Sequence, residues 1–403
     1  MNFQNYLSIL NSGDFLPHIK VELLRFSDET PYQQMGTYKD VTTSSNSTAS
    51  FGHIPNTVKS HFSSLHHSGN LNIQRANGVR RTVDLTLINT PDNPNYIDPN
   101  MLYIRSKFQL YLGLEDGSQN IEWFPHGLFV INDPSVVSNY SNGTIAFQGI
   151  DKFGLWTEVG GELDSSLIIP LGSSVIGAIQ STLTLAGDIK KPIIDTYLVG
   201  KTVPYTMTYK IGDKIGQVLI DLAQLYSCNI YYDEIGQLVI ERDIPDEIKS
   251  SQWDFTTEQF HYMGAKNDYR FSELYNAVLV VGSNINGQTV SYKARNMNLL
   301  SPTSIPNVGF ERVFYYQSDN LSTVQECQDL ANYILYRKTA VQNEVEIYST
   351  PMLHILPDQI ITLTDSSMNL NRERYIVNKL TIPLKIGDKC TLDVVKSKEI
   401  PFI

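Results

Sequence analysis

Apolar and polar residues alternate with a period of two through much of the first half of the chain. Val83, Leu85 and Leu87 alternate with Asp84 and Thr86, and Phe108, Leu110, Leu112 and Leu114 with Gln109, Tyr111 and Gly113. That spacing places one set of side chains on one face and predicts strands with a single buried face. Further strands are expected over Ile19–Phe26, Leu71–Gln74, Gly127–Ile131 and Thr144–Gly149. Between the last two, the turn formers Asn139-Tyr140-Ser141-Asn142-Gly143 let the chain reverse into a hairpin. Residues 15 to about 155 therefore read as a β-barrel or sandwich. Residues 40–70, rich in Ser, Thr, Asn and His, and the stretch Pro91–Pro99 are expected to be long loops.

After Gly160-Gly161 the period becomes helical. Val175, Ile176, Ile179 and Leu183 predict one helix. Ile215, Leu219, Leu222, Ala223 and Tyr226 predict a second, with Asp213 as its expected N-cap. Cys228 to Ile240 reads as strand, tight turn at Gly236, strand. Alternation then returns in short strands over Ala277–Val281, Gln288–Lys293, Glu344–Tyr348, Ile360–Thr364, Tyr375–Ile382 and Thr391–Val395. One helix interrupts them from Thr323 to about Arg337, where Ser322 and Gln325 offer a capping box. The predicted order is a β-block over 1–155, an α/β insert over 156–250, and a second β-block over 251–403 that carries one helix. It suggests a duplicated β-module, without a residue-level repeat.

Composition narrows what such a chain does. Its 403 residues suit several packed modules, and 23 Tyr with 16 Phe agree with β-rich structure. A net charge of -11 disfavours a grip on nucleic-acid phosphates. The densest basic patch, Arg75, Arg80 and Arg81, surrounds Asn77-Gly78 and reads as a turn between strands. Three widely spaced cysteines, Cys228, Cys327 and Cys390, fit neither a disulfide framework nor a zinc site and are expected to be buried, reduced thiols. No secretory signal and no run of about eighteen apolar residues is present, so no membrane partner is expected and the chain reads as made in a reducing cytoplasm.

Candidate chemistry is sparse. His53, His61, His66 and His67 cluster without the spacing or the companion ligands of a metal site, and Val58, Phe62 and Leu65 make the stretch read as a short amphipathic segment. Glu158, Glu162 and Asp164 flank a glycine-rich connection and read as solvated rather than as an acid–base pair. Asp233 and Glu234 read as turn residues. Trp123 suits a strand entrance better than a sugar platform, and Cys327 falls on the apolar side of its helix. Nucleophile-elbow, Walker and dinucleotide motifs are absent. No catalytic, cofactor-binding or metal residue is assigned, no cofactor is expected, and the chain is expected not to be an enzyme.

The succession of segments resembles the baseplate or tail-tip hub family of bacteriophage tails. Its carriers are Gly127-Leu128-Phe129-Val130-Ile131, then Ile145-Ala146-Phe147-Gln148-Gly149-Ile150-Asp151-Lys152-Phe153, an "aspartate, lysine, large apolar" phrase. Gly161-Glu162-Leu163, Ile168-Ile169-Pro170-Leu171-Gly172 and Tyr231-Tyr232-Asp233-Glu234 running to Leu238 follow. Leu356-Pro357-Asp358-Gln359-Ile360-Ile361 and Tyr375-Ile376-Val377 complete it. The serine- and histidine-rich 40–70 departs from that pattern and would suit a contact arm. The resemblance implies a β-rich α+β fold with two barrel-like tube domains and an intervening α/β docking module. It implies a homotrimeric structural protein of the virion tail that closes the tube and adapts sixfold tube to threefold spike or tip. Implied partners are the tail tube or distal tail protein, the tape-measure protein and a central spike or tip, with the genome passing through the lumen unread. Competing readings are a receptor- or carbohydrate-binding tail-tip protein, a lysin-associated hub, for which the chain's end at Ile403 leaves no expected room, and a spike-like secretion component.

Overall fold

The computed structural model describes residues 3–13, 15–25, 27–36, 67–88, 106–116, 121–138, 143–244, 248–269, 275–283, 288–301, 303–317, 321, 323–339, 343–385 and 387–396. The chain forms two compact units. The first comprises Met1–Ile244, Ser349–Pro357 and Lys379–Thr391; the second comprises Pro245–Tyr348, Asp358–Asn378 and Leu392–Ile403. The fold is β-rich α+β, as the periodicities predict.

The first unit opens with helix α1 (Phe3–Ser12) and the strands β1 (Leu16–Leu24), β2 (Pro31–Gly36), β3 (His67–Gln74), β4 (Arg81–Ile88), β5 (Lys107–Glu115), β6 (Ile121–Ser138) and β7 (Gly143–Asp151). These strands lie in the order β3-β4-β7-β6-β5-β1-β2, all antiparallel, and Lys379–Pro383 adds to β3. Register follows the alternation: Ile19, Val21 and Leu23 lie opposite Leu112, Leu110 and Phe108. All six side chains are buried, but so are Lys20, Glu22, Lys107, Gln109 and Glu115 on the other face, so β1 and β5 are covered on both faces and not on the single face the alternation predicts. A one-residue slip would turn that apolar set to the opposite face, so the pattern fixes the pairing. Phe108 stacks on Phe129 and meets Phe147 edge-on, each at 5.3 Å.

Beyond β7 come α2 (Gly154–Thr157), β8 (Leu167–Ile169), α3 (Val175–Ala186), β9 (Ile193–Ile194), β10 (Met207–Tyr209), α4 (Ile215–Gln224), β11 (Cys228–Tyr232) and β12 (Leu238–Arg242). Residues 161–187 and 201–227 are two copies of one βα motif displaced by 40 positions. β8 and β10 pair antiparallel with Ile168 opposite Thr208, its own equivalent. The backbone bonds are reciprocal: Gly172 N to Val203 O matches Gly212 N to Leu163 O, and Val175 N to Lys201 O matches Ile215 N to Gly161 O. A local two-fold axis relates the halves, and the apolar faces of α3 and α4 share one core with β11 and β12.

Four expectations need correction or fall outside the described residues. Asp213 is not the N-cap of α4: Lys214 holds that position without a side-chain bond, while the Asp213 carboxylate accepts Lys210 N at 2.7 Å and closes the preceding turn. The expected loop 40–70 ends early, because His67 already begins β3; 40–66, with His53, His61 and His66 and with Val58, Phe62 and Leu65, lies outside the described residues. Pro91–Pro99 and the hairpin tip 139–142 also lie outside them. Ser322 does too, and the capping box falls one residue later than expected, with Thr323 N donating to Glu326 Oε2 and Glu326 N to Thr323 Oγ1.

Further along the chain, β13 (Ser251–Thr256), β14 (Tyr262–Tyr269), β15 (Ala277–Ser283), β16 (Thr289–Arg295), α5 (Ile305–Val308), β17 (Val313–Gln317) and α6 (Val324–Thr339) of the second unit precede β18 (Asn343–Ser349), β19 (Ile360–Asp365), β20 (Leu370–Pro383) and β21 (Cys390–Lys396), of which Ser349, Lys379–Pro383 and Cys390–Thr391 belong to the first unit. β13 runs parallel to β19, which pairs antiparallel with β20. A separate sheet has the order β16-β15-β17, and α6 packs on it through Cys327 and Ala331 against Val278, Val280 and Ala294.

Candidate functional site

A group of buried charge in the first unit gathers where β7 leaves its sheet and the chain enters the βα repeat. Three consecutive residues there reach three different targets. The Asp151 carboxylate accepts Arg80 N at 2.6 Å, Arg81 N at 2.9 Å and Phe153 N at 3.0 Å. Lys152 Nζ lies 2.6 Å from Asp188 and 2.9 Å from Glu29. Phe153 is buried in the core of the repeat. Glu29 also holds Lys107 at 2.7 Å and Lys190 at 3.1 Å.

Aromatic hydroxyl and indole groups extend this cluster. Tyr232 donates to Asp188 at 2.6 Å and accepts from the Trp156 indole at 3.0 Å. Burial raises the Glu29 carboxyl, but Lys152 and Lys107 outweigh it and hold the group down at about 2. For Asp151, burial prevails over the amides of Arg81 and Arg80 and pushes the carboxyl up to about 6. A cavity of about 450 Å³ opens beside the cluster, with Lys107, Lys152, Trp156, Leu185, Ile189 and Ile215 in its wall. Each ammonium in that wall faces a carboxylate, so the arrangement ties elements together rather than presenting a free nucleophile or base.

The basic patch singled out in the sequence is the other half of this junction. Arg81 donates to Tyr232 O and, at 2.8 Å, to Glu234, while the Arg80 guanidinium lies 3.6 Å over the Tyr231 ring. Arg75 faces Asp243 at 3.6 Å. Asn77 Oδ1 accepts Ile230 N and Gly78 N donates to Ile230 O. The turn between β3 and β4 therefore grips the β11–β12 hairpin, and its positive charges are spent inside the molecule.

The remaining sequence candidates are not brought together. Glu162 pairs with Lys214, whereas Glu158 and Asp164 are exposed. Asp233 accepts Ile235 N and Gln237 N, as a turn residue should. Trp123 packs on Gly113, where a Cβ would come within 2.7 Å of its ring, and Lys20 lies 5.1 Å from its centroid. Cys228, Cys327 and Cys390 are buried free thiols. Among the described residues no group of His, Cys, Asp and Glu is placed to hold a metal ion. The sequence reading missed Glu29 and Asp188, which are unremarkable in isolation.

No protein-family model and no curated protein sequence matches the chain. Solved structures do. A tail protein from Neisseria meningitidis MC58 superimposes with a TM-score of 0.61 at 10% identity, covering 95% of this chain and 97% of that one. The 43 kDa tail protein of prophage MuSo2 from Shewanella oneidensis gives 0.61 at 12% identity, covering 94% and 98%. The chain has the fold of phage tail proteins. A chain of the Francisella PdpA-VgrG complex gives 0.56 at 10% identity, covering 98% of this chain and 55% of that one. Within this tail-protein fold, three of the phrases that carried the resemblance sit at junctions, where Asp151-Lys152-Phe153 leaves β7, Tyr231-Tyr232-Asp233-Glu234 turns from β11 to β12 and Leu356-Pro357-Asp358 leads into β19, while Gly127–Ile131 and Tyr375–Val377 lie inside β6 and β20.

Proposed function

We propose that the chain is a structural, non-enzymatic component of a phage tail, the hub that closes the distal end of the tail tube. The observation that carries this is a fold match running nearly end to end over two tail proteins at once. In this reading three copies assemble into a ring with two tube-like β-blocks each, over 1–155 and 251–403. The ring meets a sixfold tube on one side and a threefold spike or tip on the other. The α/β insert of 156–250 is the docking module, clamped to its sheet by the buried charge cluster. Tape-measure protein and genome pass through the lumen, and the net charge of -11 favours passage of DNA without adhesion.

Light scattering coupled to size exclusion, with negative-stain imaging, tests the reading. A trimer forming a ring with a central channel, and retention on immobilised tail-tube protein, are expected. A strict monomer at high concentration that shows neither ring nor tube binding would overturn it. The Francisella match favours one second reading, a spike-related component of a secretion machine. Capsid and tail genes beside the coding sequence support the first reading; secretion genes there support the second.

A further inference from the structure

We propose that the cavity beside the buried charge cluster is a socket for a tyrosine side chain carried on a peptide segment of a partner protein. The two halves of the βα repeat differ at this place, and one of them holds such a ring of its own. Register between the halves persists to their last residue: Gly187 N donates to Thr184 O and Ser227 N to Gln224 O, each at 3.1 Å. Both positions take the left-handed backbone, at φ +74° and +52°. Position 186 in the first half therefore answers to 226 in the second, and 161 and 162 answer to 201 and 202. In the second half the Tyr226 ring packs on the shared core, and its hydroxyl crosses the motif to donate to Thr202 O at 2.7 Å. In the first half position 186 is alanine, so the side chain that closes one half is missing from the other.

The cavity opens at that gap. Gly161, Glu162, Ala186 and Gly187 stand in its wall, the counterparts of Lys201, Thr202, Tyr226 and Ser227. Ile215, also in the wall, is the counterpart of Val175. Its volume of about 450 Å³ lies in the range of ligand pockets, and close-packed interiors rarely leave such a space without use. The Glu162 carbonyl takes the place of Thr202 O, and its two lone pairs let it accept a phenol besides any other donor. Lys201 Nζ lies 5.4 Å from the centre of the Tyr226 ring, and Lys107 and Lys152 bring ammonium groups to the wall of the cavity. An aromatic ring with a hydroxyl suits these surroundings.

The mouth of the cavity indicates what carries the ring. Leu185 and Ile189 stand in its wall at 56% and 52% exposure, so apolar surface continues past the space that a ring fills. A peptide that buries a tyrosine covers both with its flanking residues, whereas a free phenol leaves them in water. Exposed Asp164 in the same wall selects against an acidic neighbour to the tyrosine. The inference comes from two halves of one motif and goes beyond the hub reading without resting on it.

The test titrates the full chain with the peptide acetyl-Leu-Tyr-Ala-amide. Binding is followed by tryptophan fluorescence, excited where tyrosine does not absorb, because Trp156 lines the cavity. Saturable binding is expected. The same peptide with phenylalanine for tyrosine should bind about 5-fold more weakly or worse, for want of the hydroxyl. Acetyl-tyrosinamide should also lose about 5-fold or more, because it leaves Leu185 and Ile189 uncovered. Ala186→Tyr supplies the ring from within, as Tyr226 does in the second half. It should weaken the peptide at least about 20-fold while melting no lower than the parent. Ala186→Leu fills part of the same space and serves in its place should Ala186→Tyr fail to fold. Four results overturn the proposal: no saturable binding, equal binding of the phenylalanine peptide, equal binding of the free amide, or undiminished binding by the folded variants at position 186. Ring formation and tube binding are separate measurements, so either reading can fail while the other stands.

Discussion

Replacing Lys152 with methionine asks whether the buried charge cluster fastens the insert to its sheet. Methionine fills nearly the same volume, so the change removes charge and little packing. Glu29 would keep Lys107 at 2.7 Å. Asp188 would keep only the neutral Tyr232 hydroxyl and Lys190 amide, at 2.6 and 3.1 Å. Stranding a buried carboxylate in this way costs about 3–5 kcal/mol. Lys190→Ala should cost under about 1 kcal/mol, because that ammonium is partly in water. Urea unfolding at pH 7 reads the difference through tryptophan fluorescence, since the Trp156 indole donates to Tyr232 inside the cluster. The sign with pH follows from Glu29. Its carboxyl lies at about 2 in the fold against an ordinary 4.5, so its contribution is complete above pH 4.5 and is lost as pH falls toward 2. The gap between parent and variant should narrow over that window. A Lys152→Met protein within about 1 kcal/mol of the parent at pH 7, or a gap constant down to pH 2, refutes the reasoning.

Three further outcomes follow from the same structure. His126 is fully buried with no hydrogen-bond partner at either ring nitrogen, and burial with the nearby Arg81 charge lowers it to about 3 from 6.5. Only the unfolded chain takes up that proton as pH falls from 6.5 toward 3, so stability declines over this range. His126→Leu should flatten that decline in acid denaturation curves without loss at pH 7. Gly172 and Gly212 occupy equivalent turns at φ +82° and +89° with open space around them. Alanine at either should therefore cost a similar amount, about 1–2 kcal/mol by thermal denaturation. The buried thiols should resist a thiol reagent at pH 8 until urea exposes all three, because burial pushes Cys228 up to about 11 and Cys390 to about 12.

The strands were legible because their signal is local. Each buried face repeats every second residue, and β4, β5, β7 and the β11–β12 hairpin fall where alternation places them. Helix α1 was passed over although Tyr6, Ile9 and Leu10 lie at helical spacing and are buried, and it is fixed by a distant partner, with Leu353 N donating to the Tyr6 hydroxyl at 3.0 Å. β17 was missed because it is an exposed edge, where nothing forces its residues to alternate. The βα repeat did leave a trace: Leu171-Gly172 and Ile211-Gly212 precede the helix starts Val175 and Ile215 at one fixed interval. Only a few buried positions and one glycine repeat between the halves, so a search between β-blocks passed over it. The caps at Asp213 and Ser322 failed by one residue each, because several adjacent polar residues can cap and only geometry selects among them.

The site was half legible for a reason that bears on how it works. The phrase Asp151-Lys152-Phe153 stood out in sequence because three adjacent positions each carry a separate obligation. One serves the β3–β4 turn through backbone amides, one neutralises two carboxylates, and one fills the core of the repeat. No single substitution can satisfy another's partner, so the residue types are specified without reference to neighbouring sequence. The answering residues are under weaker constraint. Glu29 and Asp188 need only bring a carboxylate to the right place, and the chain can supply one from many backbone positions. A junction built this way shows one side to a sequence reader and hides the other. It also predicts that Lys152 and Asp188, 2.6 Å apart, are coupled through charge rather than through packing. A double-mutant cycle pairing Lys152→Met with Asp188→Asn measures it directly. Removing the stranded carboxylate should recover at least half of the stability lost in Lys152→Met, and no recovery would mean that the cluster is held by packing rather than by charge.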